Sequence, residues 1–429
     1  MELFLSKLMP LLAIAIILFI AWLLGKGSKL NLKFIFFLLL AELLLAAALL
    51  YIPFLTAFLD LIAKLILKIL DFTREGSLFV FGDWVDVSKT GYIFAIQVLP
   101  ALIVFSALTS ILFYYGIIQW FVRLLAKGLQ KIIKLSGAEC TAFTSNIILG
   151  QMEVVLLLKE YVPKMSKREI AILMASGMAS LSAVLLAVYS KMLGGCMPDN
   201  TILISRHFLT ASVLSAPSMI IISEIIFRRY SNNNENEILT TEPTKAKNIL
   251  DAILKGTMTG LKMAAQAAAM LIVFIALIAL LNYLLGLLGR IGDLNSIVSN
   301  SSEGKFSQLS FQYLLGLIFA PIVYLIGLAP ADMIIAGGLL GEKTIINEFV
   351  AYVHLSQWWT MLSSPKSGIL IIYMLFGFAN FTSVGILVAG ISTIAPNKAK
   401  EATEVGFIAM IGGALASLLS AAIVSILLL

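Results

Sequence analysis

The stretch SNIILGQMEVV, residues 145–155, decides the fold, because it interrupts an otherwise apolar segment with polar groups and a carboxylate, Glu153. The segment it divides runs from residue 138 to 163. A second apolar segment, 312–355, is broken by several glycines and by the run NEF at 347–349, which carries Glu348. Irregular backbone is tolerated at membrane depth only where protein or a water-filled cavity covers it. We therefore predict two re-entrant hairpins.

The composition indicates a membrane protein. Of the 429 residues, 60% are hydrophobic and 13% are charged, whereas about a quarter of a typical soluble domain is charged. Lipid can cover that apolar excess. The net charge of +6 does not imply nucleic acid, since Lys and Arg gather in the cytoplasmic loops of membrane proteins. The two cysteines and two histidines lack metal-ligand spacing, so no metal centre built from these side chains and no organic cofactor is expected.

Apolar runs long enough to span a bilayer, about 20 residues, recur along the chain. We predict eight complete spans, at residues 9–24, 34–52, 93–113, 170–192, 209–227, 263–285, 369–394 and 405–428. Basic residues follow the first and the fifth span, so the positive-inside tendency places both loops in the cytoplasm. The expected location is the inner or plasma membrane, crossed several times.

Three other stretches are less apolar. Charged residues recur every three or four positions in 53–72 and 115–135, which places them on one face of a helix. Such helices lie along the membrane interface or pack on the bundle, and the sequence favours neither. The hydrophilic segment 231–247 is the predicted flexible loop.

Each hairpin is followed by a similar sequence. GMASLS at 177–182 and GFANFTSVG at 377–385 place small and polar residues at the centre of the apolar helix after each hairpin. One such patch alone is more often a site of close helix packing. Two, each after a carboxylate hairpin, predict an inverted repeat with unwound helices, the best sequence pointer to a transporter's binding site.

With these motifs the sequence resembles the concentrative nucleoside transporter family. The run NIILGQME at 146–153 is similar to the family's Gly-Gln-Thr-Glu hairpin motif, NEFVAY at 347–352 to its second hairpin, and GFANFTS at 377–383 to its late unwound helix. Further matches are EGSLFVFG at 75–82, LTASVLSAP at 209–217 and GLKMA at 260–264. The resemblance covers nearly the whole chain in the family's order.

The resemblance implies cation-driven nucleoside uptake by a homotrimer in which a transport domain moves like an elevator against a scaffold. The N-terminal spans, an interfacial helix and part of the scaffold would occupy 1–135, and the hydrophilic loop with a scaffold helix 231–311. The first hairpin and one half of the transport domain would occupy 136–230, and the second hairpin with the other half 312–429.

The resemblance also implies site residues. The positions that match the base-facing part of the family's pocket are Gln151, Met152, Glu153 and Leu185. Those that match the ribose-facing part are Glu348, Phe378, Asn380 and Ser383. Those that match the Na⁺ site are Asn146, Leu149, Ser180 and Leu181, of which the leucines would offer only backbone carbonyls.

The chemistry of these residues agrees with that assignment. A carboxylate such as Glu348 accepts two hydroxyl protons at once, which suits the vicinal diol of ribose. Gln151 offers a donor and an acceptor, which suits the edge of a base. The oxygens of Asn146 and Ser180 with neighbouring carbonyls suit Na⁺. A proton carried by Glu153 or Glu348 is the alternative coupling ion, and the sequence favours Na⁺.

The sequence departs from the family's pattern in two places. Met152 stands where the family usually has Thr, and Val154 and Val155 stand where it has a small pair. The tryptophan that often precedes the second hairpin is missing from 327–332. Since Met152 replaces a hydroxyl donor beside the base by a flexible apolar chain, the choice between purine and pyrimidine stays open.

Other interpretations compete with this one. A channel does not require a repeat of carboxylate hairpins, and an intramembrane enzyme would require His, Cys or Asp constellations that the sequence lacks. A transporter of another neutral, hydroxyl-rich solute stays possible from the residues alone. Two acids lie outside the motifs: Glu42 is predicted to be satisfied by its neighbours, and Glu224 to reach the interface or Arg228, four residues on.

Overall fold

The computed structural model describes residues 2–27, 30–133, 135–196, 200–230 and 246–428. These residues form twenty α-helices and no β-strand, which confirms the predicted all-α class. Their buried apolar side chains make one continuous core. Most of the predicted loop 231–247 lies outside the described residues, which resume at residue 246.

The N-terminal part contains two apolar helices and one amphipathic helix, α1 (Glu2–Leu24), α2 (Leu32–Tyr51) and α3 (Pro53–Phe81). The side chain of Asn31 caps α2 by accepting a hydrogen bond from the backbone N–H of Phe34. Pro53 starts α3, where its missing N–H costs nothing. The helix predicted for 53–72 therefore forms and is longer than predicted. Asp60 on its charged face pairs with Arg206 at 2.7 Å.

The next helices lead to the first predicted hairpin. They are α4 (Val87–Thr90), α5 (Phe94–Gln97), α6 (Leu99–Tyr114) and α7 (Ile117–Ile132). α7 has the charged face predicted for 115–135, formed by Arg123, Lys127 and Lys131. Whether α3 and α7 lie along the membrane interface stays a prediction.

The first repeat unit comprises α8 (Gly137–Ser145), α9 (Gln151–Leu157), α10 (Lys167–Ala179), α11 (Ala183–Gly194) and α12 (Thr201–Ile226). α8 and α9 are separated by a turn at 146–150 and both pack against α10. The predicted span 170–192 is broken at 180–182 into α10 and α11, as its small and polar residues indicated. Ser136 and Ser166 begin capping boxes at α8 and α10.

Between the two units lie the long helix α13 (Ile249–Leu288) and the short α14 (Leu294–Ser301). Gly256 and Gly260 let α13 approach α6 closely, since a Cβ at Gly260 would lie 2.6 Å from the Cα of Ile103. Of one 18-residue apolar stretch of α13, 17% is buried inside the structure. α13 therefore presents a large exposed apolar surface.

The second unit begins with α15 (Phe311–Ile326) and continues with α16 (Met333–Ile345), α17 (Glu348–Trp358), α18 (Pro365–Leu375), α19 (Phe381–Ile394) and α20 (Ala399–Leu427). The hairpin predicted for 312–355 included too many residues, because α15 is a separate helix. Gly327, whose φ is +101°, caps the C-terminal end of α15. The hairpin proper is α16 and α17, joined at 346–347. The predicted span 369–394 is broken at 376–380.

Six helical segments among the described residues are long and apolar enough to cross a membrane: Leu32–Tyr51, Phe94–Tyr114, Lys167–Gly194, Thr201–Arg229, Ile249–Leu288 and Pro396–Leu427. Shorter apolar helices at Leu8–Leu24, Phe311–Ile326, Pro365–Leu375 and Phe381–Ile394 complete the set. All eight predicted spans coincide with helices of these two groups. The number that cross completely, and the inverted orientation of the two units, stay predictions.

Candidate functional site

The two helix interruptions meet through a hydrogen bond between distant parts of the chain. Gln151 is the first residue of α9, and its Nε2 donates to Oγ of Ser383 in the first turn of α19, at 3.2 Å. The acceptor of the same amide, Oε1 of Gln151, is buried without a hydrogen-bond partner among the described residues. The structure thus joins a predicted base-facing residue to a predicted ribose-facing one.

Glu348 is held by two donors from different helices. Its Oε1 accepts a hydrogen bond from the hydroxyl of Tyr189 at 3.3 Å, and its Oε2 accepts one from Nδ2 of Asn380 at 3.0 Å. Oδ1 of Asn380 in turn caps α19 by accepting from the backbone N–H of Ser383 at 2.8 Å. The carboxylate therefore has a fixed place where α11, α17 and α19 come together.

The helix breaks cross each other closely. Gly377 has a φ of +97°, and a Cβ there would lie 2.7 Å from the carbonyl oxygen of Met178, next to the first break. On the other side of that break, the N–H of Ala183 donates to the carbonyl of Ile148 in the first turn, at 3.0 Å. Interrupted helices of the two units and the first hairpin therefore form one cluster.

The predicted cation site contains an unpartnered oxygen. Nδ2 of Asn146 donates to the carbonyl of Ala142 at 2.8 Å and to Oγ of Ser176 at 2.9 Å. Both bonds orient the amide so that Oδ1, which is buried and has no hydrogen-bond partner in the described part of the chain, is left for another ligand. Ser180, whose Oγ lies 3.4 Å from the carbonyl of Gly177, is also buried. Neutral oxygens of this kind suit Na⁺.

The other two residues of that predicted site, Leu149 and Leu181, are buried at the first turn and at the first break. The structure therefore brings the four predicted residues to the same two interruptions, while their role as ligands stays a prediction.

The remaining predicted residues lie around the same cluster. Leu185 is in the first turn of α11 and Phe378 in the second break, buried and half-buried respectively. Glu153 folds back over Gly150, where an added Cβ would lie 2.4 Å from its Oε2. Met152 packs toward α19, since its Cε lies 2.4 Å from the position of a Cβ at Gly390. Met152 thus bridges the first hairpin and the second broken helix.

Sequence reasoning missed the aromatic support of the site. The ring of Tyr189 stacks on that of Tyr352 with centroids 4.3 Å apart, and its edge meets Phe349 at 5.4 Å. Tyr352 lies four residues after Glu348, which places the two side chains on the same face of α17. A tyrosine at that spacing was the signal in the sequence for an aromatic partner beside Glu348. These contacts fix the hydroxyl of Tyr189 against Glu348.

Lys343 was also missed. Its side chain is buried, and its ammonium donates to the carbonyls of Met374 and Phe376 at 3.0 and 2.9 Å. It lies on α16, inside the second hairpin. The available signal was a lysine in an apolar run five residues before Glu348.

Two acids outside the motifs have well-defined partners. Glu224 was predicted to reach the interface or Arg228. The partner that the structure gives it is Arg168, which donates to Glu224 and whose Nε also pairs with Glu139 at 2.7 Å. This buried ion triad ties the first hairpin to α10 and α12. Glu42 is satisfied by its neighbours in part, since Ser218 donates to Oε1 while the buried Oε2 has no partner in the described residues.

Two helix–turn–helix elements, two broken helices and polar side chains that join them define an integral membrane transporter. The chain belongs to the Na⁺ dependent nucleoside transporter family. The model of that family's C-terminal part matches residues 207–425, the model of its N-terminal part residues 12–84, and a model described as nucleoside recognition residues 95–195. This confirms the family predicted from the hairpin motifs. The protein is a transporter and not an enzyme, and it is located in the inner membrane, which its chain crosses several times.

Relatives that match this chain over nearly its full length support the same family assignment. The chain is 32% identical to the putative nucleoside permease NupX of Escherichia coli (strain K12), with 96% of each chain covered. It is 31% identical to the nucleoside permease NupC of Helicobacter pylori, with 97% of each covered. A solved structure of CNTnw in an inward-facing, substrate-bound state superposes with a TM-score of 0.84 at 30% identity, with 98% of each chain covered.

Proposed function

We propose that the protein takes up nucleosides across the inner membrane by symport with Na⁺. The observation that carries this proposal is the position of Glu348, held by Tyr189 and Asn380, in the cluster where Gln151 reaches Ser383. A carboxylate with two acceptor oxygens, opposite an amide with a donor and an acceptor, is complementary to a ribose diol joined to a base.

The ribose would lie against the second unit. Its two hydroxyls donate to Glu348, while Asn380 and Ser383 complete the polar wall and Phe378 contributes an apolar one. Since Glu348 is buried, the substrate must replace every hydrogen bond that it loses on leaving water, because an unmade buried one costs about 1–3 kcal/mol. A solute without the diol would leave the carboxylate without those donors.

The base would lie against the first hairpin. Gln151 would exchange its bond to Ser383 for bonds to the base edge, using the Oε1 that has no hydrogen-bond partner among the described residues. Glu153 and Met152 flank it on α9, and Leu185 would cover the base from α11. Met152 lies against Gly390 of α19, and the space that this side chain takes beside the base would set the preference between purine and pyrimidine.

The coupling cation would bind at Asn146, Leu149, Ser180 and Leu181. Support comes from the buried Oδ1 of Asn146 and from the family's description as Na⁺ dependent. Because this cluster adjoins Gln151 through the 146–150 turn, a bound cation would order the first hairpin for the base. A proton in place of Na⁺ is the alternative coupling ion.

The transport domain would comprise the parts at 136–230 and 312–429, and it would move like an elevator. The parts at 1–135 and 231–311 would supply most of the scaffold, with α6 and α13 packed closely through Gly256 and Gly260. The exposed apolar face of α13 suits contact with two further copies in a homotrimer.

Uptake of a nucleoside panel into proteoliposomes with an imposed Na⁺ or H⁺ gradient tests the proposal. We expect saturable uptake of ribonucleosides that an inward Na⁺ gradient drives above equilibrium. Uptake that never exceeds equilibrium under either gradient would indicate a channel. Saturable uptake of other hydroxyl-rich solutes with no nucleoside uptake would overturn the substrate assignment, and accumulation driven only by a proton gradient would overturn Na⁺ coupling.

A further inference from the structure

A histidine and a glutamate face each other across the second hairpin. Nδ1 of His354 on α17 lies 2.8 Å from both carboxylate oxygens of Glu342 on α16. The side chain of Glu342 is 0% exposed and that of His354 is 14% exposed. The pair therefore connects the two arms of the hairpin, with Glu342 four residues before its tip at 346–347 and His354 seven residues after it.

A chain of amides extends from this pair to α13. Nε2 of Gln312 on α15 donates to Oε1 of Glu342 at 2.8 Å, and Oε1 of Gln312 accepts from Nδ2 of Asn282 at 2.9 Å. Asn282 also accepts from the N–H of Phe311 at 2.7 Å. On its other side, the ring of His354 stacks on Trp358 with centroids 5.2 Å apart and planes inclined by 13°.

The charged groups of the surrounding elements have other partners. Lys343 donates to carbonyls of α18 and the second break, Lys191 on α11 donates to the carbonyl of Gln97, and Lys305 contacts Asp332. Glu348 on α17 accepts from Tyr189 and Asn380. The other ionisable side chains on the helices packed around the pair are Tyr313 and Tyr324 on α15, Lys366 and Tyr373 on α18 and Tyr352 on α17.

His354 is therefore the side chain that compensates the charge of Glu342 when its imidazole carries a proton. A buried carboxylate is costly unless it is paired, and histidine is the side chain whose charge changes near neutral pH. When the imidazole of His354 is protonated and the carboxylate of Glu342 is ionised, the two side chains attract each other and the pair has no net charge. Without that proton, the buried pair carries a net negative charge and the arms lose this attraction.

We propose that Glu342 and His354 form a proton-binding site that couples proton binding to closure of the second hairpin on the nucleoside. This inference rests on the proposed function and adds a residue pair that the Na⁺ assignment does not use. Helix α17 begins at Glu348 and carries His354 on the same arm, so a proton that holds the arms together also favours the position of Glu348. Acid pH strengthens nucleoside binding, and alkaline pH weakens it.

Calorimetric titration of the purified full-length protein with uridine, at fixed Na⁺ and at about pH 5.5 and pH 8, tests this coupling. For one linked proton the apparent Kd changes by at most about tenfold per pH unit. In the wild type we expect a weaker Kd at pH 8 and net proton uptake on binding, measured by comparing buffers of different ionisation enthalpy. His354→Asn keeps an amide nitrogen near the place of Nδ1 and should abolish both effects.

The protein offers a matched control, since it contains two histidines. His207 is buried, and its Nδ1 lies 3.0 Å from the hydroxyl of Tyr373. His207→Asn should retain the wild-type pH dependence. If His354→Asn instead keeps it, or if His207→Asn removes it, the proposed site is wrong.

Glu342→Gln guards against a folding failure of the histidine variant, because it retains an oxygen for Gln312 and the shape of the side chain. It should abolish the pH dependence as His354→Asn does, and the double variant should add nothing further. Additive losses would overturn the pairing. A wild-type protein that binds no nucleoside at either pH would refute the proposed function itself, whereas pH-independent nucleoside binding by the wild type refutes this inference alone.

Discussion

Lys343 on the second hairpin donates to the carbonyl of Phe376, the residue that directly follows α18, at 2.9 Å. The same ammonium donates to the carbonyl of Met374 at 3.0 Å. The last carbonyls of a helix have no partner within the helix, and a cation is favourable there because the helix dipole is negative at that end. The hairpin therefore supplies the charge that stabilises the second break.

Lys343→Met should weaken both the fold and transport. It removes a buried ammonium and leaves carbonyls of Met374 and Phe376 without those donors, and a hydrogen bond to a charged group contributes about 1.5–3 kcal/mol. We expect a lower thermal unfolding midpoint and at least about tenfold slower uptake. Lys366→Met, a half-buried lysine at the start of the same helix, should change both far less. Equal effects of the two variants would contradict a specific role for Lys343.

The crossing of the two helix breaks depends on Gly377. Gly377→Ala requires an alanine at a φ of +97° and places its Cβ 2.7 Å from backbone atoms of Met178 and Ala179, so the breaks must separate. We expect destabilisation of about 2 kcal/mol or more and a strong loss of uptake. Thermal unfolding and transport assays measure both. Gly385→Ala is the control, since nothing lies within 4 Å of a Cβ there, and it should be neutral or slightly stabilising.

The elements of the site were predictable because their causes are local. Small and polar residues in an apolar helix lower the cost of unwinding it, so the breaks at 180–182 and 376–380 followed from the motifs at 177–182 and 377–385. The same holds for α7, whose charges share a face. The end of α15 was missed because the glycines of 312–355, Gly327 among them, were interpreted as irregularities within a hairpin instead of as a helix end.

The partners of buried charges were not predictable. Arg168 pairs with Glu224, 56 residues away, and Lys343 with carbonyls more than 30 residues away. Backbone carbonyls carry no sequence signal, and neighbours in sequence such as Arg228 are the obvious candidates for Glu224. Only the packing of α10 against α12 and of α16 against α18 brings these groups together.

Recognition of the ribose diol by Glu348 can be tested with the substrate. We expect 2′,3′-dideoxyuridine to compete with radiolabelled uridine at least about tenfold less well than uridine itself, because each lost buried hydrogen bond costs about 1–3 kcal/mol. In Glu348→Gln the difference should shrink as uridine affinity falls, whereas Glu153→Gln should retain the wild-type ratio. Equal competition by the two nucleosides in the wild type would refute the assignment of Glu348.

The cation site predicts a selective effect of one serine. Ser180→Ala removes a buried hydroxyl that accompanies the unpartnered Oδ1 of Asn146. We expect the Na⁺ concentration for half-maximal uptake to rise about tenfold, since the lost ligand contributes on the order of 1–2 kcal/mol. Ser190→Ala is a matched control, because Oγ of Ser190 is buried without a partner in the described residues and lies outside the proposed site. A similar Na⁺ shift in both variants would argue against a specific ligand.

Met152 and Gly390 predict a coupled pair of substitutions. Gly390→Ala places a Cβ 2.4 Å from Cε and 2.7 Å from Sδ of Met152. Because a methionine is flexible, the thioether should swing away from α19 toward the base instead of unfolding the site. Nucleoside affinity should therefore fall about fivefold to tenfold while thermal stability changes by less than about 1–2 kcal/mol. In the double variant with Met152→Thr, the shorter side chain avoids the clash, so Gly390→Ala should cost almost nothing. Additive effects on the Kd for uridine would show that Met152 does not pack on α19, and the base preference would then have to be sought in other residues of the first hairpin.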